Sequence, residues 1–154
     1  MRPRIPPPIL MLLGAGLMWA LDHWMPLGQW TSAPWNRLGG LVAAVGIAIA
    51  VAAFARFRKA GTTVNPVDPS KASRLVTDGI FRVSRNPMYL GLLLLLIGWA
   101  VWLGSVSPLV VPPLFVVVIT LVQIIPEEQA LGQRFGEQYL SYRRSVARWI
   151  GLRR

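Results

Sequence analysis

The 154-residue sequence contains no cysteine and a single histidine, His23. Without cysteine there is no disulfide, no thiolate nucleophile and no iron–sulfur cluster. One histidine is too few for a histidine-based metal site, so we expect no metal. Acidic residues are also scarce: six face sixteen lysines and arginines, which gives a formal net charge of +10. Several enzyme classes are thereby excluded, and hydrophobicity and positive charge remain as the main signals.

Apolar residues make up 54% of the chain and lie in long blocks. Because about 20 mostly apolar residues cross a bilayer as a helix, the blocks predict an all-α integral membrane protein, with the whole chain, 1–154, as a single membrane domain. Four transmembrane helices are predicted, at about residues 9–23, 38–57, 87–103 and 108–125. A structured cytosolic loop, about 58–86, should join the second and third spans, and an amphipathic helix, about 126–150, should follow the fourth.

The positive charges flank the spans and do not cover a soluble domain, so we expect membrane lipid and not nucleic acid as a partner. Arginines and lysines lie before the first span, between the second and third, and in the tail, and only Arg37 lies on the other side. The positive-inside rule therefore predicts that both termini and the middle loop are cytoplasmic. The expected location is a bacterial inner membrane.

Two features of the spans predict how they pack. Small residues of the second span, such as Gly39 and Gly46, should let a neighbouring helix approach closely. Pro112 and Pro113 fall inside the fourth span, where they should kink the helix.

Two polar clusters lie beside the spans. In Arg85-Asn86-Pro87-Met88-Tyr89-Leu90-Gly91, Asn86 can cap a helix that starts at Pro87, where the missing proline N–H costs nothing. The second cluster, Pro126-Glu127-Glu128, stands where the last apolar run ends. Since the third span begins and the fourth ends on the same side of the bilayer, the topology predicts that the clusters meet there.

The tail supplies further candidate residues. Apolar and aromatic side chains recur every three or four residues in it, with Arg148 near the end of this stripe: Leu131, Phe135, Tyr139, Tyr142, Val146 and Trp149. Backbone donors, two carboxylates, tyrosines and an arginine would form a pocket for a polar or zwitterionic cofactor beside lipid. The same residues also have structural explanations: Arg85 as a lipid anchor, Tyr89 as an aromatic-belt residue, and the glutamates as helix-start charges.

Four segments together resemble the isoprenylcysteine carboxyl methyltransferase family of integral membrane methyltransferases. They are 78–91 (DGIFRVSRNPMYLG), 127–131 (EEQAL), 135–139 (FGEQY) and 142–149 (YRRSVARW). The resemblance covers about residues 60–150, and the broader group includes phospholipid N-methyltransferases.

This resemblance implies S-adenosylmethionine as cofactor, bound on the cytosolic side, and a lipophilic small molecule or lipid as methyl acceptor. Arg85, Asn86, Pro87 and Tyr89 would line the cofactor pocket. Glu127 or Glu128 would bind the ribose or ammonium group, and Tyr139 and Tyr142 would cover it. Arg148 would orient the acceptor, so that Arg148 and Glu128 are the expected catalytic residues.

The sequence departs from the family at Asn86, where the eukaryotic prenyl-cysteine enzymes carry histidine. Asparagine does not titrate near neutral pH, which excludes a general base at this position. A small lipid, an isoprenoid acid, or a hydrophobic thiol or amine therefore fits better than a prenylated protein. Two alternatives stay open: a sterol-reductase-type membrane enzyme that uses NADPH, and a non-enzymatic membrane scaffold or lipid-binding protein.

Overall fold

The structure, a computed structural model, describes residues 5–61 and 74–151, in which the regular secondary structure is helical and Gln29 and Ser105 form an isolated bridge. Six α-helices follow in order: α1 (Pro7–Trp24), α2 (Leu38–Lys59), α3 (Pro87–Leu103), α4 (Val111–Ile119), α5 (Ile125–Phe135) and α6 (Glu137–Ser145). Short 3₁₀ turns are Trp35–Arg37, Gly79–Arg82 and Ser107–Val110. A wider turn with π geometry, Thr120–Ile124, joins α4 to α5 and is called the π turn below. The all-α prediction is confirmed for these residues.

Among the described residues, two helical stretches are long and apolar enough to cross a membrane, Trp35–Lys59 and Ser107–Phe135. The first carries large exposed apolar side chains, such as Leu41 at 65% and Val51 at 60% exposure. A continuous surface of this kind is a liability in water but suits lipid. The predicted spans 9–23 and 87–103 are the helices α1 and α3, and their crossing of the membrane stays a prediction, as does the orientation of the chain.

Helices α2 and α3 are the most closely packed pair, because glycines face each other along their contact. A Cβ atom on Gly46 would lie 2.7 Å from the carbonyl oxygen of Gly91, and the reverse distance is also 2.7 Å. Gly39 and Gly98 meet in the same way about two turns away. Only glycine permits this approach of two backbones, so the close packing predicted for the second span is confirmed.

The opposite side of α3 packs on α1 and α4. The buried side chains of this apolar core include Met18, Leu96 and Ile119, each 0% exposed. At the far end of the bundle the α1–α2 connection pairs with the α3–α4 connection, where the N–H of Trp30 donates to the carbonyl oxygen of Gly104 at 2.9 Å. Helix α3 is thus held on both sides and at its far end.

The prolines Pro112 and Pro113 lie in the first turn of α4, just after the turn Ser107–Val110. First-turn N–H groups have no partner within an α-helix, so proline is tolerated there. The expected kink at these prolines stays a prediction. The same helical stretch is also irregular at the π turn.

The single helix predicted over 126–150 is wrong. The tail forms α5 and α6, which are separated at Gly136, and after α6 the chain is extended at Val146 and then turns, with the N–H of Ala147 donating to the carbonyl oxygen of Gly151 at 2.9 Å. Gly136 has a φ of 50°, a left-handed value that glycine adopts readily and that ends α5. Part of the predicted cytosolic loop, 58–86, lies outside the described residues, and its described part includes the end of α2 and the turn Gly79–Arg82.

The glycine contact predicts opposite effects of two alanine substitutions. A Cβ at Gly98 would lie 2.5 Å from the backbone oxygen of Gly39, whereas Gly40 has nothing within 4 Å of that position. Gly98→Ala should therefore destabilise the protein by about 1–3 kcal/mol through overpacking. Gly40→Ala should be neutral or stabilising because alanine favours helix. Thermal unfolding in detergent, followed by circular dichroism, measures both, and equal midpoints would contradict the packing described here.

Candidate functional site

A buried carboxylate, that of Glu128, lies where α3 and α5 begin, and two arginines bind it. Arg85 Nη1 is 2.9 Å from Glu128 Oε1, and Arg148 Nη2 is 2.8 Å from Oε2. Arg148 also donates from Nε to Oε1 at 3.0 Å, so its guanidinium binds with two parallel hydrogen bonds. Three separate segments contribute to this group, which we name the Arg85–Glu128–Arg148 cluster.

Burial makes this cluster costly unless its charges are paired. The side chain of Glu128 is 9% exposed and that of Arg85 only 4%, whereas that of Arg148 is 32% exposed. One carboxylate faces two guanidinium groups, which leaves the cluster with a positive charge in excess. The Nε of Arg85 is buried and has no hydrogen-bond partner among the described residues. The cluster therefore retains an unused donor and an unbalanced positive charge.

A second link joins α3 to α5. Tyr89, in the first turn of α3, donates its hydroxyl to Glu127 Oε1 at 2.5 Å. Glu127 and Glu128 both lie in the first turn of α5, as predicted. The predicted meeting of the two polar clusters is thus confirmed by direct contacts in the structure.

Asn86 has a partner other than the predicted one. Helix α3 begins at Pro87, as predicted, but the Asn86 side chain does not cap it. Its Nδ2 donates instead to the carbonyl oxygen of Arg148 at 3.0 Å. The physical reason is that the chain at Arg148 is not helical, so its carbonyl oxygen lacks a helical partner and the asparagine amide supplies a donor.

The tail that follows α6 is joined to the segment before α3 by backbone hydrogen bonds. The N–H of Arg85 donates to the carbonyl oxygen of Ala147 at 3.1 Å, and that of Gly151 donates to Val83 at 3.0 Å. This tail, residues 146–151, is called the C-terminal segment. Together with the Asn86 contact, these bonds hold Arg148 beside Glu128.

The tyrosines of α6 are buried around Arg85. Tyr139 is 2% exposed and accepts a hydrogen bond from Arg85 Nη1 at 3.2 Å. Tyr142 is 9% exposed and donates to the carbonyl oxygen of Phe81 at 2.6 Å. Burial raises the pKa of both phenols, and the nearby Glu128 carboxylate adds to the rise at Tyr139. Both hydroxyls therefore stay protonated at neutral pH.

All eight predicted site residues, with Arg148, lie in or directly beside this one region. Two polar residues of the neighbourhood did not figure in the sequence prediction. Ser84 is 0% exposed and accepts the backbone N–H of Asn86 at 3.0 Å. Gln123 is 1% exposed and lies in the π turn. The sequence could have identified Gln123 as a polar side chain inside an apolar span, where such residues are rare.

Long apolar helices with large exposed apolar side chains define a membrane protein, and its buried charged cluster lies at the ends of these helices. Residues 35–138 match the family described as phospholipid methyltransferase. The chain is 35% identical to protein-S-isoprenylcysteine O-methyltransferase A of Arabidopsis thaliana over 129 residues, which cover 82% of this chain and 59% of that protein. It is also 41% identical to an uncharacterized protein of Haemophilus influenzae over 63 residues, 41% of this chain and all of that protein. No solved structure matches the chain.

The chain therefore belongs to the phospholipid methyltransferase family, and it is a membrane protein of a methyltransferase family. The resemblance seen in the sequence is confirmed. The chain spans 59% of the length of the Arabidopsis protein.

Substitution of a buried glutamate should lower stability more than substitution of a glutamate in an exposed ion pair. Glu128→Gln leaves two guanidinium groups without their carboxylate, and loss of a partner from a buried pair costs about 3–5 kcal/mol. Glu137→Gln breaks the pair with Arg144, whose side chains are 74% and 67% exposed. Such exposed pairs contribute about 0–1 kcal/mol. Unfolding midpoints in detergent test this, and similar losses for both variants would show that burial does not strengthen the Glu128 interactions.

Proposed function

We propose that the protein transfers a methyl group from S-adenosylmethionine to a lipophilic acceptor at the cytosolic membrane interface. The carrying observation is the Arg85–Glu128–Arg148 cluster, a buried charged group at the end of apolar helices in a chain of a methyltransferase family. In this proposal α1, α2, α3 and the stretch Ser107–Phe135 cross the membrane. The cluster and both termini then face the cytoplasm, where positive charge is concentrated.

The residues present fit this cofactor. S-adenosylmethionine carries a carboxylate, an ammonium group and ribose hydroxyls, so its site needs cationic donors and anionic acceptors. The unpaired Nε of Arg85 and the excess positive charge of the cluster suit the carboxylate. Glu127 and Glu128 supply oxygens for ammonium or hydroxyl groups.

Further residues would complete the cofactor pocket. Asn86, Pro87 and Tyr89 line it at the start of α3. Tyr139 and Tyr142 cover it from α6, where their neutral hydroxyls and aromatic rings add no charge to the site.

The chemistry needs positioning more than acid–base catalysis. When bound, S-adenosylmethionine supplies an electrophilic methyl group on a sulfonium. Glu128 holds the Arg148 guanidinium in one orientation, and the C-terminal segment fixes its backbone. Because the Arg148 side chain is 32% exposed, it can face an acceptor that arrives from the bilayer. Holding the acceptor in line and excluding water lowers the barrier to displacement.

In this proposal Asn86 is a positioning residue. Its amide holds the backbone of Arg148, which needs a hydrogen-bond donor and no titrating group. Histidine at this position could donate the same hydrogen bond from a ring N–H, so the departure from histidine preserves the contact. The acceptor of the Arabidopsis relative, named an isoprenylcysteine methyltransferase, is not carried over, and a small amphiphile is the proposed acceptor class.

Calorimetry in lipid nanodiscs tests the cofactor. The parent should bind S-adenosylmethionine and S-adenosylhomocysteine, and Glu127→Gln and Glu128→Ala should each weaken both by about tenfold or more, a loss near 1.4 kcal/mol. Glu137→Gln, an exposed glutamate on α6, is the matched control and should bind as the parent does.

Glu127→Gln keeps the Arg85–Glu128–Arg148 cluster intact, so this variant should fold as the parent does. Circular dichroism should confirm its folding before binding is measured. Normal binding by both Glu127→Gln and Glu128→Ala would refute the site. Binding of NADPH in place of S-adenosylmethionine would favour a reductase instead.

Substitutions at Asn86 should separate positioning from binding. Asn86→Ala removes the donor to the Arg148 carbonyl, so transfer of tritiated methyl from S-adenosylmethionine to extracted membrane lipid should fall by about tenfold, a larger loss than that of cofactor affinity. Asn86→His keeps a donor and should retain more transfer than Asn86→Ala. Equal activity of the two variants would contradict this role.

A further inference from the structure

Two buried oxygen atoms in the π turn have no hydrogen-bond partner among the described residues. They are Oγ1 of Thr120 and Oε1 of Gln123. The other amide atom of Gln123, Nε2, donates to the carbonyl oxygen of Ile5 at 2.6 Å, so only half of the amide is satisfied. Leaving a buried acceptor unpaired is costly, and two such atoms three residues apart have no explanation in the stability of the fold.

The surroundings of these atoms are apolar. Ile119 and Ile124 flank them in the chain, and Met18 belongs to the same core; all three are 0% exposed. Gln123 lies four residues before Glu127, so the two side chains share one face of the helix about one turn apart. Thr120 and Gln123 are therefore on the apolar side of the Tyr89–Glu127 contact, where the bilayer begins.

The backbone of the π turn also indicates a functional site. A π turn within a long helix gives up regular hydrogen bonds, and such turns occur often at functional sites. Polar side chains inside an apolar span also mark binding sites more often than they stabilise the fold. Two independent features, the backbone geometry and the unpaired oxygens, therefore coincide at one place.

The chemistry of the two atoms selects a ligand class. An amide oxygen only accepts hydrogen bonds, and a threonine hydroxyl is able to accept one. Their natural partner is a neutral O–H or N–H group. A carboxylate has no proton to donate, so it cannot form a hydrogen bond with Gln123 Oε1.

We propose that Thr120 and Gln123 form a subsite that binds the O–H or N–H group of an otherwise apolar ligand, and that this ligand is the methyl acceptor. The identification with the acceptor rests on the proposed function. Ile5 is 47% exposed and its carbonyl oxygen accepts the hydrogen bond from Gln123, so the subsite lies close to an exposed part of the chain. The acceptor then lies one turn below the pair of Tyr89 and Glu127.

The test compares two probes that differ in one hydrogen-bond donor. Tritiated 1-dodecanol and tritiated dodecyl methyl ether are titrated against the protein in nanodiscs, and partition into empty nanodiscs is subtracted. The parent should bind the alcohol about tenfold more tightly than the ether, as expected for one buried hydrogen bond. Equal binding of the two probes, including no binding of either, overturns the proposal.

Thr120→Val is the informative variant because it keeps the shape of the side chain and removes only the unpaired hydroxyl. It should fold with a stability equal to or above that of the parent, since an unsatisfied buried group is lost. Its preference for the alcohol should nevertheless fall to about threefold or less. Thr31→Val, in the α1–α2 connection at the far end of the bundle, is the matched control and should keep the full preference.

A preference unchanged in Thr120→Val and in Gln123→Met would show that the two oxygens are only a structural irregularity, and the subsite would be rejected. No methyl donor is present in this experiment. Failure of the subsite with intact S-adenosylmethionine binding therefore leaves the proposed function standing. Loss of cofactor binding with an intact alcohol preference rejects methyl transfer but retains the subsite.

Discussion

The carboxylate of Glu128 is the point where three parts of the chain are held together. It lies in the first turn of α5 and pairs with Arg85, which precedes α3, and with Arg148, which follows α6. A carboxylate this deeply buried is stable only with its cations in place, so the positions of all three segments are coupled. The backbone bonds of the C-terminal segment and the contacts of Tyr139 and Asn86 all depend on this arrangement.

The apolar helices bring the parts of this charged group together. Glycine contacts hold α2 against α3, and α1, α3 and α4 share one apolar core. The polar groups at the ends of these helices are thereby brought within hydrogen-bond distance. Membership of the phospholipid methyltransferase family connects this geometry with methyl transfer. Under the proposed function, the same geometry would serve binding and orientation, which that reaction requires.

The sequence prediction of the tail was wrong for a reason of local context. The helix expected over 126–150 follows an apolar stripe that passes through Gly136 without interruption. The spacing of apolar residues does not reveal a change of chain direction. Gly136, with its positive φ, produces such a change between α5 and α6.

The sequence by itself determined the helices, the close contact of α2 with α3, and the meeting of the two polar clusters. Each follows from local properties: apolar runs, small residues, and proline at a helix start. Only the tertiary structure decided that Asn86 binds the backbone of Arg148, that Arg148 pairs with Glu128, and that Gln123 keeps an unpaired oxygen. These depend on contacts between polar groups far apart in the chain, whose choice of partner has no periodic signal and is settled by which donors and acceptors the packed helices leave within reach.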